Sequence, residues 1–103
     1  MSKHSKLELE ILTGPLDGHI VLLDTETEWT RQVGSQLSFP WDEELGEPQA
    51  RFSLIASGWQ LERANAKRGT HVLRQDVEES LPAVLVAGDI VKASNTWMCV
   101  KST

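Results

Sequence analysis

Residues 58–72 read GWQLERANAKRGTHV and join a strand pattern to a basic, turn-prone corner. Trp59 and Leu61 alternate with polar residues, which is the period of two expected for a strand with one buried face. Gly69 and Thr70 then supply a residue that tolerates positive φ and a hydroxyl that can bond nearby backbone. The stretch therefore predicts a β-strand that runs into a tight polar corner.

Short strand patterns separated by turn residues continue on both sides of this stretch. LELEIL, residues 7–12, alternates leucine and isoleucine with glutamate, and TGPLDG then provides a turn before the apolar run HIVLL. No helical periodicity is sustained anywhere, and Pro82 with its neighbouring acids makes RQDVEESLP a predicted loop. These runs predict an all-β sandwich of two sheets or a small barrel, with three hairpins: 7–12 with 19–23, 50–57 with 59–64, and 83–94 with 96–102.

Length and composition restrict the chain to one ordinary globular domain. It has 103 residues, 40% hydrophobic and 24% charged, with a formal net charge of -5. This charge gives no global positive field for phosphate backbones, so we expect no nucleic acid partner. The single cysteine excludes an internal disulfide, and no apolar run is long enough for a signal peptide or membrane span. We therefore expect a cytoplasmic location and no membrane contact by this domain.

No constellation of residues in the sequence predicts catalysis. His4, His19 and His71 are scattered, and no cysteine or acidic spacing joins them into a metal site. Cys99 lies in the apolar run WMCV, which favours a buried small side chain over a reactive thiol. We predict no enzymatic activity, no catalytic residues, no cofactor and no metal.

The order of the motifs resembles the forkhead-associated (FHA) family. In that family an aromatic residue begins a strand, Asn-Gly-Thr closes a recognition loop, and Leu-x-x-Gly-Asp-x-Ile marks a later turn. Toward the N-terminus, QVGSQ lies where Ile-Gly-Arg is usual, and GEPQA lies where Ser-Arg-x-His-Ala is usual. The resemblance implies a sandwich of two mostly antiparallel sheets over residues 7–103, after a flexible tail at 1–6. The matching residues are Trp59, Gly69, Thr70, Leu85, Gly88, Asp89 and Val91.

The resemblance and the strand alternation together predict which side chains fill the interior. We expect contributions from Trp59, Leu61, Leu54, Val86 and Ile90, and we also place Trp97 in the core. Gly88 and Asp89 read as a turn pair whose carboxylate accepts backbone N–H groups.

The resemblance also implies phosphothreonine binding, but the positions expected to hold the phosphate are changed. They read Ser35, Gly46, Glu47, Gln49 and Arg68 in place of arginine, serine, arginine, histidine and asparagine. Phosphate recognition needs charge-assisted hydrogen bonds, and losing a desolvated charge partner typically costs about 2–5 kcal/mol, at least tenfold in affinity. The acidic run at 43, 44 and 47 adds repulsion, so ordinary phosphothreonine capture should be lost or severely weakened.

Two functions are compatible with these changes. The first is a non-catalytic module that binds a protein or peptide through its loops without phosphorylation; the resemblance makes a role in assembly or signalling within a larger protein plausible. The second is a phosphothreonine reader with a pocket relocated to Arg31, Lys67 and Arg68. A third function, that of a purely structural or oligomerising domain, overlaps with the first. Lys67 and Arg68 are alternatively solvent-exposed residues of the corner that contact no ligand. Trp41 is either an exposed aromatic anchor for a partner or a residue that packs over the edge of the sandwich. The predicted partner surface comprises Arg31, Ser35, Trp41, Gly46, Glu47, Lys67, Arg68 and Thr70.

Overall fold

Strands account for nearly all the regular structure in the computed structural model, which describes residues 6–64 and 69–103. A single 3₁₀ turn, Gly14–Leu16, lies in the first connection. Within the described residues no helix has the length and apolar character needed to cross a membrane. The strands are β1 (Leu7–Ile11), β2 (Ile20–Leu23), β3 (Thr27–Thr30), β4 (Leu37–Ser38), β5 (Ala50–Ile55), β6 (Gly58–Arg63), β7 (His71–Arg74), β8 (Val77–Glu79), β9 (Ala83–Val84), β10 (Ile90–Ala93) and β11 (Thr96–Ser102).

The strands form two sheets that pack face to face, which confirms the predicted all-β sandwich. The six-stranded sheet has the order β2-β1-β11-β10-β7-β8, and the five-stranded sheet has the order β4-β3-β5-β6-β9. The pairs are antiparallel except for β3 with β4, which is parallel. Two predicted hairpins are confirmed as β1–β2 and β5–β6. The third is β10–β11 and is shorter than predicted, because residues 83 and 84 form β9 of the other sheet.

The core follows the alternation of the strands, with alternate residues of each sheet buried. In β1 the leucines and Ile11 are buried while the two glutamates between them are half-exposed, as period two requires. The interior positions predicted for Trp59 and Leu61 are confirmed. Burial of such large apolar side chains is the main term that stabilises the sandwich.

Three predicted core residues are exposed instead. Leu54 lies at the turn end of the β5–β6 hairpin, where only one further residue pair precedes the turn. Val86 follows β9 and belongs to a turn, where its N–H donates to Asp89 Oδ2 at 3.0 Å. Trp97 is 40% exposed because its neighbours in β11 on either side, Thr96 and Met98, take the inward positions.

Two further predictions about this half of the chain are partly corrected. Ile90 is only half-buried, because the adjacent Val91 takes the inward position in β10. The segment predicted as a loop at 74–82 contains β8, which pairs with β7 through a tight turn at Gln75 and Asp76, both with positive φ. Its acids are compatible with a strand because β8 is an edge strand, and Glu78 contacts His71 across the pair.

Candidate functional site

Three loops meet at one end of the sandwich. Trp29 of β3, Ala50 of β5 and Arg63 of β6 are consecutive partners at that end of the five-stranded sheet, so the segments 31–36 and 39–49 and the β6–β7 connection leave it together. These loops carry the described members of the predicted partner surface, which are Arg31, Ser35, Trp41, Gly46, Glu47 and Thr70.

Gln49 ties the 39–49 loop to the end of β3 and to the β6–β7 connection from inside. Its side chain is fully buried, with Oε1 accepting the Gly46 N–H at 2.8 Å and Nε2 donating to Thr70 Oγ1 at 2.9 Å. Its own N–H donates to the carbonyl of Trp29 at 2.8 Å. Sequence reasoning recognised Gln49 only as a replaced histidine and missed this positioning role. A buried amide that bonds through both its ends fixes the loops in one arrangement.

Thr70 belongs to the predicted partner surface and also has an architectural interpretation, as a hydroxyl that bonds within the corner. It is only 5% exposed, and its hydroxyl accepts the bond from Gln49. Its side chain therefore points into the domain and supports the architecture of the loop. Gly46 is half-buried, and its backbone carbonyl accepts the Arg31 N–H at 3.2 Å.

Ser35 uses its polar groups for hydrogen bonds within its turn and to β3. Its hydroxyl donates to the Glu28 carbonyl at 2.5 Å and accepts the Leu37 N–H at 3.2 Å. Its N–H donates to Ser38 Oγ at 3.0 Å, and that hydroxyl donates back to the Ser35 carbonyl at 2.7 Å. The side chain therefore brings no charge to the surface and already has hydrogen-bond partners.

Arg31 is held by a carboxylate of the neighbouring loop. Its Nη1 lies 3.0 Å from Glu47 Oε2, and each side chain is 39% exposed. The pair brings together two predicted surface residues of opposite sign. An anion approaching Arg31 meets a guanidinium whose charge is already balanced by Glu47.

Trp41 combines packing with exposure. Its ring meets Phe39 edge-on, with centroids 5.8 Å apart, and its Nε1 lies 3.0 Å from the position that a Cβ on Gly14 would take. The side chain nevertheless remains 41% exposed. Trp41 thus packs at the edge of the sandwich and is also exposed, as the two interpretations of the sequence expect. Its role in binding stays a prediction.

The basic corner lies partly outside the described residues, because Lys67 and Arg68 fall in the gap at 65–68.

A polar cavity of about 410 Å³ lies between the end of β6 and the segment that follows β8. Sequence reasoning did not identify it, since that segment was predicted as a loop. In the described ranges no group of three or more histidine, cysteine or acidic side chains is placed to hold a metal ion. The cavity is lined by Arg63, Thr70, Glu78, Glu79, Ser80 and Leu81.

Comparison with known proteins identifies the fold. No protein-family model matches the chain, and no curated protein matches it. An FHA domain of an Arabidopsis thaliana hypothetical protein shares 19% identity, with a TM-score of 0.79 over 100% of this chain and 94% of its own. An FHA domain with phosphothreonine-dependent interactions shares 17% identity, with a TM-score of 0.77 over 96% and 98%. The FHA domain of FhaA, solved with the intracellular domain of a second protein, shares 18% identity, with a TM-score of 0.75 over 92% and 99%. The chain therefore has the forkhead-associated fold.

Proposed function

We propose that the chain is a non-catalytic protein-interaction module that binds through its loop end without requiring phosphothreonine. The observation that carries the proposal is the ion pair between Arg31 and Glu47. Its carboxylate already occupies the guanidinium that a phosphate would need on this surface. The internal hydrogen bonds of Ser35 support it, because the position expected to hold a phosphate through arginine has no charge and existing partners.

Electrostatics disfavour phosphate at this surface. A phosphate bound at Arg31 has to displace Glu47 or share the guanidinium with it, and the displaced carboxylate remains on the same loop. Glu43 and Glu44 precede it on that loop and add like charge to any incoming anion. Because these groups are solvated, each repulsion is modest, about 1 kcal/mol, but they act in the same direction.

Apolar contact replaces charge in the proposed binding mode. Trp41 and Val33 are exposed on the two loops that carry Glu47 and Arg31, and exposed aromatic side chains are favoured at protein interfaces. A protein or peptide partner that covers these side chains gains area without needing a phosphate. We also propose that the domain serves in this way as one component of an assembly or of a signalling protein.

Releasing Arg31 should create a measurable preference for phosphate. In Glu47→Gln the guanidinium loses its carboxylate partner, so we expect affinity for a phosphothreonine peptide library to rise about fivefold, equivalent to about 1 kcal/mol. Fluorescence polarisation against labelled peptides measures the change. Glu43→Gln is the matched control, because it removes an equal charge from the same loop without freeing Arg31.

Equal responses of the two variants would show that only net charge matters and would remove the support that the ion pair gives. The relocated pocket at Lys67 and Arg68 stays a separate prediction, since no described contact favours it.

A further inference from the structure

Strand β2 differs from the other three sheet edges of the described fold. Edge strands in monomeric proteins are usually short or carry charges that prevent pairing with another chain. Strands β4 and β9 are two residues long, and β8 carries Glu78 and Glu79. In contrast, β2 reads Ile20–Leu23, is four residues long and has no charged side chain.

The backbone of β2 directs the N–H and C=O groups of two residues outward, away from β1. Ile11 N–H donates to the His19 carbonyl, so Ile11 and His19 form a hydrogen-bonded pair. Every second pair along β1 and β2 is then hydrogen-bonded as well, including Leu9 with Val21. Such pairs alternate with pairs that are not hydrogen-bonded, so the N–H and C=O groups of Ile20 and Leu22 point away from β1. Gln36 Nε2 reaches the Leu22 carbonyl from that open side at 3.3 Å.

The side chains of the same two residues are also exposed. Ile20 is 48% and Leu22 50% exposed on the outer face of the sheet, whereas Leu23 is buried and Val21 packs against the core. Both the polar backbone and the apolar side chains of this edge therefore lack a strand partner in the described fold.

We propose that β2 pairs antiparallel with β2 of a second copy of the chain, on a twofold axis at Val21. This register places Ile20 opposite Leu22 of the second copy, and Leu22 opposite Ile20. Their outward N–H and C=O groups then form four hydrogen bonds, with the exposed Gln36 amide giving up its place at the Leu22 carbonyl. The two copies of Val21 face each other as a pair without hydrogen bonds.

Self-complementarity is the reason to choose a second copy over an unrelated strand. The one register that pairs every outward backbone group also pairs isoleucine with leucine on the outer face, a favourable cross-strand combination. No like charges oppose each other, because Asp24 lies opposite Gly18 of the second copy, and His19 lies opposite Leu23. The two loop ends would point in opposite directions, so this contact goes beyond the proposed loop function and leaves it undisturbed.

The size of the contact predicts a weak dimer. Four residues per chain bury much less than the roughly 800 Å² per partner of standard interfaces. We expect an apparent mass of 11.5 kDa in dilute solution that rises toward twice that value between about 10 μM and 1 mM. Sedimentation velocity measures it. Leu22→Lys should raise the dissociation constant about tenfold or more by placing charge on the edge, whereas Val77→Lys, on the exposed β8 edge, should leave it unchanged.

Two residue-specific measurements test the register. In concentrated protein the Ile20 and Leu22 amides should exchange with solvent more slowly than in dilute protein, while the Val21 amide, already bonded to β1, should not change. In a Cys99→Ser background, Val21→Cys should oxidise to a covalent dimer, since facing Cα atoms in such pairs lie about 4.5 Å apart. Asp24→Cys should not.

A monomer at every concentration would overturn the proposal. So would a dimer in which Leu22→Lys has no effect or in which Asp24→Cys cross-links as well as Val21→Cys. Both cysteine variants lie on the β2 edge, so their folding is checked by circular dichroism before oxidation.

Discussion

Replacing Asp42 with alanine is expected to lower the free energy of unfolding by about 3–4 kcal/mol. The carboxylate is 3% exposed and connects the 39–49 loop to the β10–β11 turn. It accepts hydrogen bonds from Ser94 Oγ and Thr96 Oγ1, each at 2.7 Å, from Asn95 N–H at 3.1 Å and from Glu44 N–H at 3.3 Å. Alanine leaves these donors without their acceptor, and the hydroxyl of Thr96 is buried.

Urea denaturation of the two proteins measures this loss. Glu43→Ala is the matched control, because it removes an adjacent exposed carboxylate and should change stability by about 0.5 kcal/mol or less. Asp42→Asn keeps one oxygen acceptor and should fall between them. A loss below about 1 kcal/mol for Asp42→Ala would mean that water replaces the carboxylate, and that Asp42 does not fix the loop.

Arg74→Ala is expected to lower the free energy of unfolding by about 2–3 kcal/mol, because it leaves the buried carboxylate of Asp89 without its ion-pair partner. Asp89 is fully buried, and the guanidinium binds both its oxygens, with Nε to Oδ1 at 2.9 Å and Nη2 to Oδ2 at 3.0 Å. This hydrogen bonding raises the pKa of Arg74 above its ordinary value, against the opposing effect of burial. Since the arginine side chain is 33% exposed, water reaches the pair and keeps the cost at the low end for a broken buried ion pair.

Thermal and urea denaturation again provide the measurement. Arg51→Ala is the control: its guanidinium lies 3.3–3.5 Å from Glu26, Glu28 and Glu62 on an exposed sheet face, so its loss should cost about 1 kcal/mol or less. Arg74→Lys should recover only part of the loss because a lysine cannot form the two parallel bonds. Equal costs for the alanine variants at 74 and 51 would refute the distinction between the two ion-pair environments.

The period of two predicted most strands and two complete hairpins, but it joined β9 and β10 into one arm of the third and did not always predict which face is buried. LELEIL was assigned correctly because its two faces differ sharply in polarity. In TWMCVKS both faces carry large apolar side chains, so the pattern predicts Trp97 inside. The ring instead lies on the outer face, where the ammonium of Lys92 is 4.9 Å from its centroid. Near turns, as at Leu54, the exposure of a side chain depends on how far the opposite sheet extends. The local sequence pattern does not predict that extent.

The candidate site was predicted less completely than the fold. The family resemblance pointed to Ser35, Glu47 and Gln49 as changed positions, and the change in charge was evident from the residue types alone. The partners were not evident, since the Arg31–Glu47 contact and the bond from Gln49 to Thr70 join loops that are distant in sequence. The turn acceptor role predicted for Asp89 is confirmed by Val86, whereas its partner Arg74 was missed.

The most direct measurement is a paired titration of the wild-type protein with a degenerate phosphothreonine peptide library and with the same library unphosphorylated. The pairing of Arg31 with Glu47 predicts equal, weak binding of both libraries, unchanged in Arg68→Ala and Lys67→Ala. Micromolar binding that requires the phosphate would contradict the phospho-independent function. If Arg68→Ala abolished that binding, the relocated pocket at Lys67 and Arg68 would be established instead.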